Sequence, residues 1–340
     1  MIKTAIVILN WNGKSFLEKF LPTLIKNTPK DDTEIIIADN NSTDNSIDFL
    51  NKNYQDLRQI IFDKNYGYTG GYNKALDQID AQYFVLLNSD IEVSENWLSP
   101  LIELLDSDSE IAACQPKINS FDQKTNFEYA GAAGGFIDKF GYPFCRGRIL
   151  DKTETDTNQY NDIRDVFWAT GACLVIRADL FKKVGGLDDD FFAHMEEIDL
   201  CWRLKNAGYR IVCNPESMVY HVGGGTLPNN SPFKLYLNFR NNLFLLYKNL
   251  PKGKLFSRLL PRMILDGLSA IVFLLKFQFS NYFAVLKAHI HFYMSIKKLY
   301  KKRNEILSNT KVINHKEIYS RSIVIDYYVR KKKVFKSLNL

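Results

Sequence analysis

Apolar positions in the first hundred residues come as short unbroken runs separated by amphipathic stretches. Ala5-Ile6-Val7-Ile8-Leu9, Ile35-Ile36-Ile37-Ala38, Ile60-Ile61-Phe62 and Tyr83-Phe84-Val85-Leu86-Leu87 are continuous rather than alternating, as strands buried on both faces are. Between them, Phe16, Leu17, Phe20, Leu21 and Leu24 share one helical face. Ser42, Thr43 and Asp44 supply a second helix start, and a third helix is predicted over 69–80. Strand and helix alternate, so this half predicts a doubly wound α/β sheet with parallel strands. Ligands of such sheets bind beyond the carboxyl ends of the strands. The polar residues collect there: Asn10, Asp39, Asn65 and Asn88 each sit at or just past a strand end.

From 111 to 222 the pattern is mixed and loop-rich, punctuated by Gly131, Gly134, Gly135, Gly171, Gly185 and Gly186. Residues 199–206 read as a helix that Gly208 stops. After Pro232, Tyr236, Phe239, Leu243, Leu246 and Leu250 recur at spacings of 3, 4, 3 and 4, opposite Lys234, Asn241 and Lys248, an amphipathic helix with its polar face toward water. Residues 263–286 are strongly apolar but interrupted by Asp266 and Lys276. Their longest charge-free runs, nine residues (267–275) and ten (277–286), fall short of the roughly 20 that span a bilayer. They suit a helix lying in the membrane interface. The Lys331, Lys332 and Lys333 end reads as frayed.

Composition adds a division of charge. The chain has 340 residues, 46% apolar and 24% charged, which is globular and excludes a disordered or collagen-like protein. Residues 231–340 hold 22 Lys and Arg against 4 Asp and Glu, a net +18, whereas the preceding 230 hold 22 against 34, a net −12. A basic tail of this length calls for an anionic partner. Five cysteines without a C-x-x-C pair fit reduced thiols rather than a disulfide framework or zinc site. Only six apolar-leaning residues separate Lys3 from Asn10, too few for a secretory signal; a cytoplasmic chain is expected.

Several constellations carry candidate chemistry. In Asp39-Asn40-Asn41-Ser42-Thr43-Asp44, the Asp39 carboxylate can accept from a nucleobase N–H or a ribose hydroxyl, while Ser42 or Asp44 caps the next helix. In Asn65-x-Gly67-x-x-Gly70-Gly71-x-Asn73, the glycines either admit a ligand to the backbone or mark a tight turn. The spacing is not that of a dinucleotide fingerprint. Asp90, in Asn88-Ser89-Asp90, either holds a divalent cation on a diphosphate or is an ordinary polar exit from a strand to a loop. Glu196 and Glu197 either complement a helix dipole or act as general base. Asp188, Asp189 and Asp190 read as a solvated turn. His221, ahead of the glycine run 223–225, is either structural or a metal or phosphate contact.

Taken in order, and with Gly171-Ala-Cys-Leu-Val-Ile-Arg177, Gly185-Gly186-Leu187-Asp188, Glu196-Glu197-x-Asp199-Leu200-Cys201-x-Arg203 and Tyr220-His221-x-Gly223, the chain resembles family 2 of the inverting glycosyltransferases. The branch is that of bacterial rhamnosyltransferases, and the resemblance covers about residues 3–250. It implies a GT-A fold: a doubly wound mixed α/β sheet, here with a C-terminal basic helical extension. Residues 1–230 would be the transferase domain, with 1–110 its nucleotide-binding half, 111–230 its acceptor and catalytic half, and 231–340 the basic helical region.

The same resemblance assigns roles. Asn10, Asp39, Asn41, Asn65, Gly70, Gly71, Asn73 and Asn88 would hold the nucleotide-diphosphate sugar. Asp90, helped by His221, would bind Mg²⁺ or Mn²⁺ on the diphosphate; Glu197 would be the base, with Glu196 its fallback. Trp168, Gly171 and Arg203 would line the acceptor or donor-sugar side. The family's metal motif often reads Asp-x-Asp, and Asn88 replaces its first carboxylate, which implies weaker metal binding. The implied reaction extends a lipid-linked or cell-envelope glycan from dTDP-rhamnose or a UDP-sugar. The basic region would meet the anionic inner face of the cell membrane, at about 1 kcal/mol per Lys or Arg near the surface, or form a homo-oligomer. A nucleic-acid partner lacks any recognition motif. A sugar-nucleotide-binding scaffold without turnover has only Asn88 in its favour.

Overall fold

The continuous apolar runs become the central strands. The computed structural model describes residues 2–223 and 231–340, so Gly224 and Gly225 of the glycine run lie outside the described residues. The first half runs β1 (Ile2–Asn10), α1 (Lys14–Asn27), β2 (Thr33–Asp39), α2 (Ser46–Asn53), β3 (Arg58–Ile61), α3 (Gly67–Leu76) and β4 (Ala81–Leu87). These strands pair in parallel in the order β3-β2-β1-β4, with Ile6 beside both Ile35 and Val85. Their inner residues Val7, Ile36, Phe84 and Val85 are fully buried. Two helix starts differ from the sequence reading. The second helix begins at Ser46 because Ser42 and Asp44 turn back toward β1, accepting from the backbone N–H of Asn12 at 2.9 Å and of Lys14 at 2.8 Å. The third begins at Gly67 and ends at Leu76.

The chain continues through β5 (Ile91–Val93), α4 (Ser99–Ser107), β6 (Ile111–Ser120), β7 (Gly135–Asp138), β8 (Pro143–Cys145), β9 (Arg148–Ile149), β10 (Lys152–Thr153), β11 (Arg164–Val166), β12 (Cys173–Arg177), α5 (Ala178–Lys183), α6 (Glu196–Asn206) and β13 (Arg210–His221). The main sheet is mixed, in the order β11-β13-β6-β12-β4-β1-β2-β3 with β5 on β13. β12 runs against β4 and β6, whereas β13 runs with β6. One edge therefore gathers the ends of β1, β2, β4 and β13 and the start of β12.

The remainder is α7 (Pro232–Asn249), α8 (Leu255–Leu275), α9 (Phe279–Ser308), β14 (Ile318–Tyr319) and α10 (Ile323–Tyr328). β14 pairs with β7 and completes a second sheet, β10-β9-β8-β7-β14. Leu243, Phe244 and Leu246 of α7 enter the same core as the central sheet. Asn241 and Lys248, expected to face water, are instead 0% and 1% exposed. Lys248 is drawn inward by Asp199, whose two carboxylate oxygens each lie 2.9 Å from Nζ, and by Asp188. Asp188 is accordingly no solvated turn residue, and Lys302 also reaches it at 2.5 Å. Nor is the chain end frayed: the Phe335 ring packs at a tilt 5.0 Å from that of Phe136, and Leu338 is buried. All five cysteines are buried and free.

Candidate active site

Asn10 and Asp39 end adjacent parallel strands in direct register. The Asn10 amide donates to Asp39 Oδ2 at 2.9 Å and to Ser42 Oγ at 3.1 Å, while Ser42 N–H donates to Asp39 Oδ1 at 2.8 Å. Each Asp39 oxygen thus has a partner and keeps a lone pair. Asn10 Oδ1 is buried without a donor. Asn41 stands exposed with φ of 64°. Asn65, also exposed, accepts at its Oδ1 from the Gly67 N–H at 2.7 Å and from Asn40 Nδ2 at 3.0 Å.

At the other end of the edge, Asp90 Oδ1 and His221 Nε2 approach to 3.2 Å, and both side chains are buried. Behind the ring, Glu128 Oε1 lies 3.4 Å from His221 Nδ1. Burial opposes charge on the imidazole, but Glu128 and Asp90 outweigh it and push its pKa up to about 10. Burial likewise works against ionised Asp90, yet His221 holds it below the ordinary carboxylate range. A carboxylate and an imidazole converging on one point fit a divalent cation, whose binding displaces the proton. The described residues contain no group of three or more metal-binding side chains. Two protein ligands with phosphate oxygens completing the shell is an ordinary arrangement for such ions.

Glu196 and Glu197 open α6, and each keeps one buried oxygen, Oε2, with no hydrogen-bond donor. Burial pushes the Glu197 pKa up to about 7 against the backbone N–H groups at the helix start, and burial together with the Glu197 charge raises that of Glu196 well above the ordinary carboxylate range. A carboxylate poised near neutrality with one oxygen free to accept a proton has the properties of a general base. Tyr68 senses both glutamates; its hydroxyl donates to Gly171 O at 2.7 Å, beside the start of β12. His194, two residues ahead, is kept neutral by burial, its pKa pushed down to about 4, and its Nε2 is also unpartnered.

The profile of Glycosyl transferase family 2 matches residues 5–185, more than half of the chain. The protein belongs to this family. It is 26% identical over 234 residues to the N-acetylglucosaminyl-diphospho-decaprenol L-rhamnosyltransferase of Mycobacterium tuberculosis, covering 64% of this chain and 75% of that protein. It is 25% identical over 230 residues to the O-antigen biosynthesis protein RfbC of Myxococcus xanthus, covering 64% of this chain but only 17% of that much longer protein. Among solved structures, GalNAc-T7 with UDP, GalNAc and Mn²⁺ superimposes with a TM-score of 0.58 at 18% identity, over 75% of this chain and 50% of that one. The fold of this glycosyltransferase is GT-A, and the GalNAc-T7 structure of that fold holds Mn²⁺ with UDP.

Within this glycosyltransferase the structure reassigns several residues. At Gly71 a Cβ would fall 2.7 Å from the Leu9 side chain, so the glycine lets α3 pack directly on β1. Gly70 is less tightly placed, with a Cβ there 3.2 Å from Tyr66 Cβ. Asn73 fastens α3 to the 187–189 turn, donating to Leu187 O and Asp189 Oδ1 at 2.8 Å each and accepting from Leu187 N–H at 3.0 Å. Trp168 is buried in the core, its indole N–H donating to Phe136 O at 3.0 Å. Arg203 is bound internally to Asp199 at 2.8 Å and to Gly186 O at 2.7 Å. Gly171 lies under Tyr68, where a Cβ would be 2.5 Å from the hydroxyl. Asn88 is half-buried at the strand end, and its backbone N–H donates to Ala172 O at 3.0 Å.

Three residues of this neighbourhood escaped the sequence reading. Asn40, rather than Asn41, ties β2 to the 65–67 loop, accepting from Tyr66 N–H at 2.9 Å and donating to Gly67 O at 3.0 Å. Its signal was present, because it is the first residue past the strand. Glu128 and Tyr68 reach the site only through tertiary packing.

Proposed function

We propose that this glycosyltransferase moves a sugar, with inversion, from a nucleoside-diphosphate donor to a hydroxyl of a lipid-linked or envelope glycan. A dTDP-rhamnose or UDP-sugar donor is favoured, in keeping with the rhamnosyltransferase and O-antigen biosynthesis protein among its relatives. The observation that carries the reading is Glu197: a carboxylate with one buried oxygen left without a donor and a pKa pushed up to about 7, on the fold and in the family of sugar transferases.

In this mechanism the acceptor oxygen forms a bond to the anomeric carbon as the bond from that carbon to the diphosphate oxygen breaks. The electron pair leaves with the diphosphate, and the acceptor proton goes to Glu197, an assistance worth roughly 10²–10⁴-fold. Glu196, whose pKa burial and the neighbouring Glu197 carboxylate raise, disfavours two charges on the pair. Asp39 and Asn10 orient the nucleoside. Asp90 and His221 would hold a divalent cation that offsets the charge growing on the diphosphate. Glu128 positions the His221 ring from behind.

The enzyme works, on this reading, at the inner face of the cell membrane through its C-terminal helices. No helix among the described residues is long and apolar enough to cross a membrane. The test of the donor site is ligand-observed NMR with UDP-, dTDP- and GDP-sugars, with and without Mn²⁺. One donor is expected to bind selectively, and Asp90→Ala is expected to abolish the gain from Mn²⁺. Equal binding by the Ala variant in Mn²⁺ would contradict the assignment of Asp90.

A further inference from the structure

Residues 189–195 lead into Glu196 and Glu197 along a backbone path that L-residues rarely take. Phe192, His194 and Met195 have φ of 66°, 69° and 71°, and none is a glycine, asparagine or aspartate. Such a path persists only where the surroundings over-determine it, and clusters of it occur at active sites.

One helix supplies the restraint. Asn241 of α7 is fully buried, and its amide donates to three carbonyls of the loop: Phe191 O at 3.0 Å, Ala193 O at 2.8 Å and His194 O at 2.7 Å. Its neighbour Arg240 donates to Asp190 O at 2.9 Å and Phe191 O at 3.0 Å. The Arg240 Nε–H also donates to Asn241 Oδ1 at 2.9 Å, which fixes which way the amide points. From the opposite side, Tyr68 N–H donates to Phe192 O at 3.1 Å. The two hydrogens of one side-chain amide, shared among three carbonyls, are thus the hub of the turn.

We propose that Asn241 is a positioning residue: it holds 191–194 in the left-handed path and so sets where α6 presents Glu196 and Glu197. The consequence for turnover rests on Glu197 being the base; the restraint itself does not. No other residue type serves as well at 241. Aspartate has no hydrogen to give, and leucine fills the volume but strips three carbonyls of their donor. The C-terminal extension therefore reaches into catalysis through α7.

The experiment compares Asn241→Leu with Asn242→Leu. Asn242 is equally buried on α7 but donates to Gly141 O and does not touch the loop, so it controls for loss of stability. Hydrogen exchange by mass spectrometry reads 189–197 without any substrate. Asn241→Leu is expected to speed exchange there at least about tenfold with the central strands unchanged, and Asn242→Leu is not. With the sugar nucleotide that the wild type turns over, Asn241→Leu is expected to lower kcat about 10²-fold and leave the donor KM within roughly twofold. Arg240→Met, at a half-buried position, gives the same pattern more weakly and serves if Asn241→Leu does not fold. Loop protection unchanged in both variants, or a rise equal across the sheet, would overturn the proposal. A wild type that turns over no donor would refute the transferase reading, and the exchange measurement would still decide the restraint.

Discussion

Glu197 shows how one residue binds stability to function. Its carboxyl gives up its proton near 4.5 in an ordinary setting and near 7 in the folded protein, so the fold retains a proton that the unfolded chain has released. Folding stability should therefore be highest at or below pH 4.5 as far as this group is concerned, fall as pH rises to 7, and level off above. Urea midpoints across pH 5–8 check this: Glu197→Gln is expected to lose that part of the slope and to exceed the wild type at pH 8. At the same scale, what could be read in advance depended on where a side chain had to go. The positions of Asn10, Asp39 and Asp90 were legible because strand ends place them at one edge of the sheet whatever the surroundings. Lys248 was not, because a lysine at helical spacing reads as solvent-facing until Asp199 is known to lie 2.9 Å away. Arg203, Asn73 and Trp168 fell inside the motifs but turned inward to fasten loops and fill the core.

Elements were more legible than their ends. Unbroken apolar runs gave all four parallel strands, whereas the starts of α2 and α3 moved because local side chains serve the β1–α1 loop or pack against β1. The C-terminal helices divide their charge in a way composition alone hides. Arg262, Lys298 and Lys302 are paired with Asp266, Asp190 and Asp188, leaving Lys276, Lys297 and Lys301 exposed. Beside these, Phe256, Leu260, Ile264, Leu268, Ile271 and Leu275 recur every three or four residues along α8, each more than half exposed. Phe277 at the tip is 79% exposed and Met294 on α9 is 77% exposed. A continuous apolar face rimmed by lysines has the composition of an interfacial helix. The wild type is expected to sediment with vesicles containing anionic phospholipid and to release partly in high salt. Leu268→Glu with Leu275→Glu should abolish retention without changing Tm, since neither side chain is in the core. Retention by the double variant, or a stable dimer that ignores vesicles, would contradict this use of the face.

Across the whole molecule, the mixed sheet gathers the ends of β1, β2, β4 and β13 on one edge, and α7 closes over the loop that opens α6. The proposed donor and cation residues thus lie on the rigid sheet edge, while the proposed base stands at the start of α6, on a loop held from the C-terminal extension. The doubly wound half followed from periodicity; the second half did not, because short strands between glycines leave no periodic signal and Glu128 finds His221 only through the fold. The most direct test of the account is release of nucleoside diphosphate from the bound donor at pH 8, by wild type and Glu197→Gln matched for donor binding. The account predicts turnover by the wild type and a loss of roughly 10²–10⁴-fold in the variant; turnover by Glu197→Gln at the wild-type rate would contradict it.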